Sequence, residues 1–483
     1  MAEIVSISPD NQFDFPQNFH YVSESDTGLP AMKRTPGLST WIDLTGTLTG
    51  KVRAMKVIGN YLYALIANTL YKITDENTYS SMGTVSTSTG PAQIEGNSTQ
   101  VAVLVCNVNY YVLTVATSTL TLITQTSDTP PQTLPVFSTM TYADNYIILN
   151  SYTDKAFFYV TDATGDLSLI SALDYETAFR QSDDIVSVKI GDGELFVCGA
   201  ETLEVYQNTG ATFPYTIISG ADSAVGCGAA LSQVFIDNGL FLLDNLGRIR
   251  KTVGYKTYVI STPKLDRAIS AMTTVSDAIG MGITWGHAMW YVITFPSENV
   301  TYAFDCIASA QLSDNTKTSH VWYKWASYPN DERHRANCFV YFNRVPLVGD
   351  HSTAVIWKLD SSIWHENGES LVSILTLPKI DDKGKPIIFD NYYIDMKTGV
   401  GLAEEFALAA PDTGVEPVIS LDYSNDDGQS WVQKGYRSIG KYGETSLKVH
   451  WNMLGMTRKK GRVFKHTISD PVECTIYGAR VNV

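Results

Sequence analysis

Short runs of β-branched and aromatic residues recur along this chain, each cut off by Gly, Asn, Asp, Ser or Thr. Examples are residues 101–105 (VAVLV), 110–115 (YYVLTV), 119–123 (TLTLI), 146–149 (YIIL), 157–160 (FFYV), 194–198 (ELFVC) and 204–206 (EVY). Runs this short and this rich in stiff side chains suit pleated, half-buried strands and are poor helix material. The breaks are specific. Residues 58–61 (IGNY), 190–194 (IGDGE) and 236–240 (IDNGL) put Gly, Asn and Asp where a tight hairpin needs positive φ. Helical periodicity is nearly absent, and residues 174–180 are expected to form one short helical turn. The chain therefore reads as all-β.

A loose repeat runs through the strands: turn, strand, turn, strand. It is visible at residues 57–73, 188–206, 234–249, 286–293, and 346–350 leading to 354–359. Hairpin units at such spacing are how propeller blades look in sequence, and a propeller closes on itself and leaves only short edges. Roughly six blades of about four strands are expected. Two regions differ. Residues 1–40 hold Pro9, Pro16, Pro30 and Pro36 with few strand runs, and read as an extended docking arm. From about residue 365 the strands lengthen and Gly/Lys turns dominate, as in 380–386 (IDDKGKP). The expected fold is thus a β-propeller over 41–364, a C-terminal β-sandwich-like domain over 365–483, and the arm.

Composition narrows the function classes. Hydrophobic residues make up 44 % of the 483, enough for a large core, so disorder is excluded. The net charge is 35 − 50 = −15, which argues against a protein that grips nucleic-acid phosphates. The six cysteines (Cys106, Cys198, Cys227, Cys306, Cys338, Cys474) have no CxxC spacing and read as buried reduced thiols. Residues 1–10 carry Glu3 and Asp10 without a basic stretch, so no signal peptide is expected, and no apolar run reaches the length of a membrane span.

Candidate chemistry is thin. Residues 424–431 (SNDDGQSW) fit the Asp-box pattern, in which Asp426 and Gly428 close a tight turn over Trp431; this is a folding signal and not a catalytic one. A sialidase would need three arginines, a Tyr nucleophile and an acidic partner, with an early Arg-Ile-Pro motif. The nearest string is 343–346 (NRVP), deep in the chain. GxSxG, HExxH and GxxxxGK[ST] are missing. The histidines (His20, His287, His320, His334, His351, His365, His450, His466) show no metal-ligand spacing, and 349–351 (GDH) reads as a turn. The basic clusters 248–251, 333–335 and 458–462 read as solvated turns, with contact to an acidic neighbouring subunit as the sharper reading. The aromatic group 322–325 (WYKW) reads as core. No catalytic, cofactor-binding or metal residue is assigned, and no cofactor is expected.

The order of several strings carries a resemblance. They are 28–38 (GLPAMKRTPGL), 212–218 (TFPYTII), 226–232 (GCGAALS), 239–250 (GLFLLDNLGRIR), 259–266 (VISTPKLD), 286–296 (GHAMWYVITFP), 322–325 and 347–350 (LVGD). Trp431, 451–455 (WNMLG), 463–464 and 469–471 continue the series. In this order the chain resembles the packaged-DNA stabilisation proteins of short-tailed bacteriophages, the tail hub or nozzle. The resemblance implies a ring-forming virion structural protein, usually a hexamer and not an enzyme, assembled in the host bacterial cytoplasm. It implies attachment below the portal and adaptor rings, closure of the DNA channel after packaging, and passage of DNA through the lumen on ejection. Tailspike or tail-fibre proteins and a plug or needle protein are the further partners implied. One departure is a shortened pattern around the Trp-rich segment, which bears on fibre attachment. The competing expectation is a sialidase-like or lectin-like carbohydrate-binding propeller on the virion, with a monomeric host-type scaffold as a third. A wall that DNA slides past works best when it repels phosphates, which suits the acidic balance.

Overall fold

A computed structural model describes residues 2–5, 7–9, 12–23, 30–178, 183–314, 317–327, 332–366, 368–408, 414–457 and 461–482, with the side chains of 2–4 excepted. The chain divides into two units. One comprises Thr40–Asn299 and Arg335–Lys358; the other comprises Met1–Ser39, Val300–His334 and Leu359–Val483.

The first unit is a β-propeller. Blade 1 is the meander Val52–Ile58, Tyr61–Ile66, Thr69–Asp75, Thr78–Thr84, and blade 2 is Ala92–Gly96, Gln100–Val105, Asn109–Thr114, Thr119–Ile123. Blade 3 follows with Phe137–Ala143, Tyr146–Ser151, Phe157–Thr161 and Ile170–Thr177. Blade 4 is Ile185–Gly191, Glu194–Gly199, Leu203–Asn208, Tyr215–Ser223, and blade 5 is Val234–Ile236, Gly239–Leu243, Ile249–Val253, Lys256–Val259. The sixth position holds the hairpin Ile279–Trp285 and Ala288–Phe295. Blade 7 is built on Ala336–Phe342, Val345–Asp350 and Val355–Asp360, completed by Gly37–Asp43 from near the start of the chain. The first strands of the blades neighbour one another in succession, and that of blade 7 lies against that of blade 1, so the ring closes at seven. This corrects the expected six. The inner hairpin of blade 2 turns at residues 97–99, held by the Asn97 side chain, and that of blade 3 on Asp144 and Asn145 (φ 52° and 70°), so neither carries the glycine signal.

The core sits between blades. Ile58, Leu65, Ile94, Val103 and Leu113 pack blade 1 on blade 2, and Ile42, Leu44, Val52, Phe342 and Ile356 pack blade 7 on blade 1. The second strand of each of blades 1 to 5 thus buries both faces, which explains its continuous apolar run. Closure by an early strand ties the two ends of the ring's sequence together; the Leu44 N–H donates to the Ala354 carbonyl at 3.0 Å. Residues 174–177, expected in a helical turn, belong instead to the Ile170–Thr177 strand, where Tyr175 stacks edge-on against Phe157 at 4.7 Å. Cross-strand aromatic packing outweighs weak local helix preference there; Arg180 lies outside the described residues.

Besides the antiparallel pair Val300–Asp305 and Trp322–Ser327, the second unit holds two larger sheets. One runs Phe19–Ser23, Pro30–Arg34, Thr475–Asn482, Ile387–Met396, Val449–Thr457, with Ala2–Val5 also paired to Thr475–Asn482. The other runs Ser373–Thr376, Val463–Ile468, Val418–Ser424, Val432–Ser438. Tyr392, Trp451, Phe389, Phe464 and His466 interlock as its aromatic core. The first residues, which the sequence sets apart as an arm, are therefore strands hydrogen-bonded into this sheet.

Candidate assembly surfaces

The polar residues that could have carried chemistry hold turns and strands together. Asp350, at the end of a blade 7 strand, accepts from the Ser352 N–H (2.6 Å), the Ser352 hydroxyl (2.8 Å), the Thr353 N–H (3.0 Å) and Trp357 Nε1 (2.8 Å). Burial alone would raise its pKa, but these donors more than offset it and hold the carboxyl below the usual range. Residues 349–351 are thus a latched turn. Asp244 plays the same part in blade 5, accepting from the Leu246 and Arg248 N–H groups and from Arg250 Nε at 2.6 Å.

The Asp-box closes as its pattern demands. The Ser424 hydroxyl donates to Asp426 Oδ1 at 2.7 Å, the Gly428 N–H donates to Ser424 Oγ at 2.9 Å, and the Ser430 N–H donates to Asp426 at 2.9 Å. Donation from Ser430 and Ser424 pulls the Asp426 carboxyl down to about 2. Gly428 sits at φ 82°, where an L side chain is strained, and Lys465 Nζ lies 4.2 Å from the centre of the half-buried Trp431 ring.

The basic clusters divide. Arg248 and Arg250 serve Asp244, and Lys251 Nζ pairs with Asp237. Arg335 approaches Asp350 at 3.7 Å and lies over Trp357. Residues 458–460 lie outside the described residues, but Arg462 corrects the reading of that cluster as a solvated turn. It is 1 % exposed, donates to Asn425 Oδ1 (2.8 Å) and the Leu454 carbonyl (2.7 Å), and lies over the Tyr423 and Phe389 rings. A guanidinium spreads its charge over a plane, so it can stack between aromatics where an ammonium could not.

Arg34 is a second buried arginine whose role the sequence reading missed. It donates to Ser373 Oγ (2.9 Å) and to the carbonyls of Asp470, Val472 (2.8 Å) and Leu371. Burial lowers its pKa to about 10, still well above neutrality. Asn18 works beside it: its Nδ2 donates to the Ala326 and Val372 carbonyls at 2.8 Å, and its Oδ1 accepts from the Ala326 N–H at 3.0 Å. Gly37 completes the device, because a Cβ there would lie 2.4 Å from the His365 carbonyl oxygen. The string 33–38 (KRTPGL) was the available signal; its Arg and Gly are structural pins.

Histidines and cysteines form no metal-type cluster among the described residues. Trp322, Tyr323 and Trp325 are core, and Tyr323 donates to Asp305 at 3.2 Å. His20 and His466 are buried, and desolvation lowers their pKa values to about 3 and about 4. The Nε2 of His466 takes the Tyr392 hydroxyl proton's hydrogen bond at 2.6 Å and its Nδ1 faces the Ser420 carbonyl at 3.2 Å. That pattern fits one neutral tautomer, sealed from solvent.

What remains for contact is apolar surface. In the sandwich unit Ile388 and Met456 oppose one another across two strands and are 66 % and 51 % exposed; Met453, Tyr436 and Val432 are also exposed. A separate groove in this unit runs past Trp364, Leu402, Phe406 and Tyr442. In the propeller unit Leu173 and Tyr175 on blade 3, and Val253, Tyr255 and Tyr258 on blade 5, stand out on the outer strands.

A propeller and a sandwich whose polar residues serve architecture define an all-β structural class of protein. Residues 9–364 match the family model described as Bacteriophage P22 Gp10, beta-propeller, and residues 374–483 match Bacteriophage P22 Gp10, beta-sandwich. The chain belongs to this family, the tail hub and packaged-DNA stabilisation proteins of short-tailed phages, and is a structural component of the virion tail. No curated protein matches the chain. Among solved structures, the computationally designed Ika8 protein is 11 % identical over 74 % of this chain and 100 % of its own, with TM-score 0.37. YCF48 bound to D1 peptide is 8 % identical over 68 % and 98 % (TM-score 0.40), and YCF48 from Cyanidioschyzon merolae is 11 % identical over 67 % and 98 % (TM-score 0.39). No helix of the described residues is long and apolar enough to cross a membrane.

Proposed function

We propose that this chain forms a closed ring, of six copies, below the portal and adaptor of a short-tailed phage. There it shuts the DNA channel after packaging and lets DNA through at ejection. The observation that carries the reading is family membership across both the propeller and the sandwich. Two features support it. Rings of identical subunits need heterologous contacts that close, and both units carry exposed large apolar residues. The −15 net charge suits a passage that must not retain a polyanion. Portal and adaptor proteins are its neighbours on one side; tailspikes or fibres and a plug or needle dock on it. Assembly takes place in the host bacterial cytoplasm, without catalysis.

Native mass spectrometry of the purified protein, alone and with a portal–adaptor complex of the same phage, tests this. A six-fold species that appears with the adaptor is the expected result. A monomer indifferent to the adaptor would overturn the reading and direct attention to glycan arrays and sialidase assays.

A further inference from the structure

The inner strands of the propeller wall an axial cavity of about 540 Å³. Part of the wall is apolar, lined by Met55, Ile94 and Val188, yet it also carries the charged residues Lys51, Arg53, Lys56, Glu95, Lys189 and Asp277. Lys56 comes from blade 1, Glu95 from blade 2 and Lys189 from blade 4. Lys56 Nζ takes both oxygens of Glu95, at 3.0 and 2.8 Å, so that carboxylate is occupied. Lys189 is within electrostatic reach of both, attracted by Glu95 and repelled by Lys56. Its side chain has no hydrogen bond or ion pair among the described residues, and it lines the cavity. Arg53 donates to the Gly90, Ala67 and Thr87 carbonyls, Lys56 pairs with Glu95, and Asp277 accepts from the Ser297 N–H and hydroxyl, while the Lys189 ammonium has no acceptor among the described residues.

An ammonium in such surroundings has strong reason to find an anion, because desolvation without a partner is costly. Burial already lowers the Lys189 pKa, the shift expected of a cation lacking compensation. The wall's second carboxylate, Asp277, is engaged by the Ser297 N–H and hydroxyl at 2.8 and 2.7 Å, while the wall leaves room for a small solute.

We infer that the axial cavity is a binding site for one small oxyanion of the phosphate class, held by the Lys189 ammonium with Lys56 as a second, shared cation. Glu95 tempers the affinity by opposing the anion's charge. This property is separate from ring assembly and from the passage of DNA.

Isothermal titration of the full chain with inorganic phosphate, and with sulfate as a second tetrahedral anion, tests it. Saturable binding of one anion per chain is expected. Lys189→Met should weaken it about tenfold or more, the loss of one charge-assisted hydrogen bond. Glu95→Gln should strengthen it about tenfold by removing the opposing charge. Lys189→Met removes an uncompensated cation and should keep the fold; phosphate-dependent thermal stabilisation of the Glu95→Gln protein gives an independent readout. Absence of saturable binding, equal affinity in Lys189→Met, or weaker binding in Glu95→Gln would each overturn the assignment.

Discussion

Lowering the pH to 5 should destabilise the sandwich unit by way of two sealed histidines. His466 titrates at about 4 and His20 at about 3 in the folded protein, both because burial disfavours the imidazolium. Unfolded, each returns to the ordinary imidazole value of about 6.5. The unfolded state therefore binds more protons between pH 6.5 and the folded values. The stabilisation is fully present above pH 6.5 and is lost as pH falls through that window. At pH 5 each histidine contributes a loss of about 1.4 kcal/mol per unit over about 1.5 units, or about 2 kcal/mol, and the two together about 4 kcal/mol. Against a total stability on the order of 5–15 kcal/mol this is a large share. Equilibrium urea unfolding followed by tryptophan fluorescence reads it, because Trp451 lies 5.8 Å from His466. His466→Gln should cost stability at pH 7.5 but lose only about 2 kcal/mol between pH 7.5 and 5 instead of about 4. Equal losses in the two proteins would refute the assignment of this acid sensitivity to His466.

Three further outcomes follow from the same contacts. Arg34→Met leaves three buried carbonyls and Ser373 without their donor, and should cost on the order of 3 kcal/mol in urea unfolding, with the propeller transition unchanged. Asp350→Ala strands the Trp357 indole N–H and two turn N–H groups, and should cost about 2–4 kcal/mol and alter Trp357 emission. Removing residues 1–36 deletes three strands together with Arg34 and Asn18 and should unfold the sandwich unit. Removing residues 1–5 takes only an edge strand and should leave a folded protein by circular dichroism.

Sequence pattern exposed the all-β class because every strand run is short and ends in a residue that tolerates a hairpin. It exposed the propeller because blades 1, 4 and 5 turn on Gly59, on Asp192-Gly193 and on Asp237-Asn238-Gly239, which stand out by composition. Blade 2 turns at the corresponding place on residues 97–99 and blade 3 on Asp144 and Asn145, which look like ordinary polar residues, and the expected count was one short of the seven observed. The Asp-box was fully legible, since its hydrogen bonds all fall within seven positions of one another. Arg34 and Arg462 were not. Their partners at 371–373 and 470–472, or at 425 and 454, are brought near only by the fold, and a surface arginine has the same letter as a buried one. The axial charges were hidden for the same reason: Lys56, Glu95 and Lys189 meet only when three blades face one centre.

The two units differ in what they leave open to a neighbour. A closed propeller joins its first and last blades, so its backbone offers little beyond the outermost strand of each blade. The sandwich ends in real edges at Val449–Thr457 and Val432–Ser438. These edges are blunted. Met453 at φ 53° and Gly455 at φ 74° break the line of the first, and Lys434 Nζ donates to the Met453 carbonyl at 2.9 Å. Arg437 Nε likewise occupies the His450 carbonyl at 2.9 Å. A neighbouring subunit could not easily add a strand to acceptors already taken. Contact there would instead run through the exposed side chains of Ile388 and Met456, which oppose one another in register, and of Tyr436 and Met453. That arrangement favours side-chain contacts over open-ended strand pairing, as the closed ring proposed above requires.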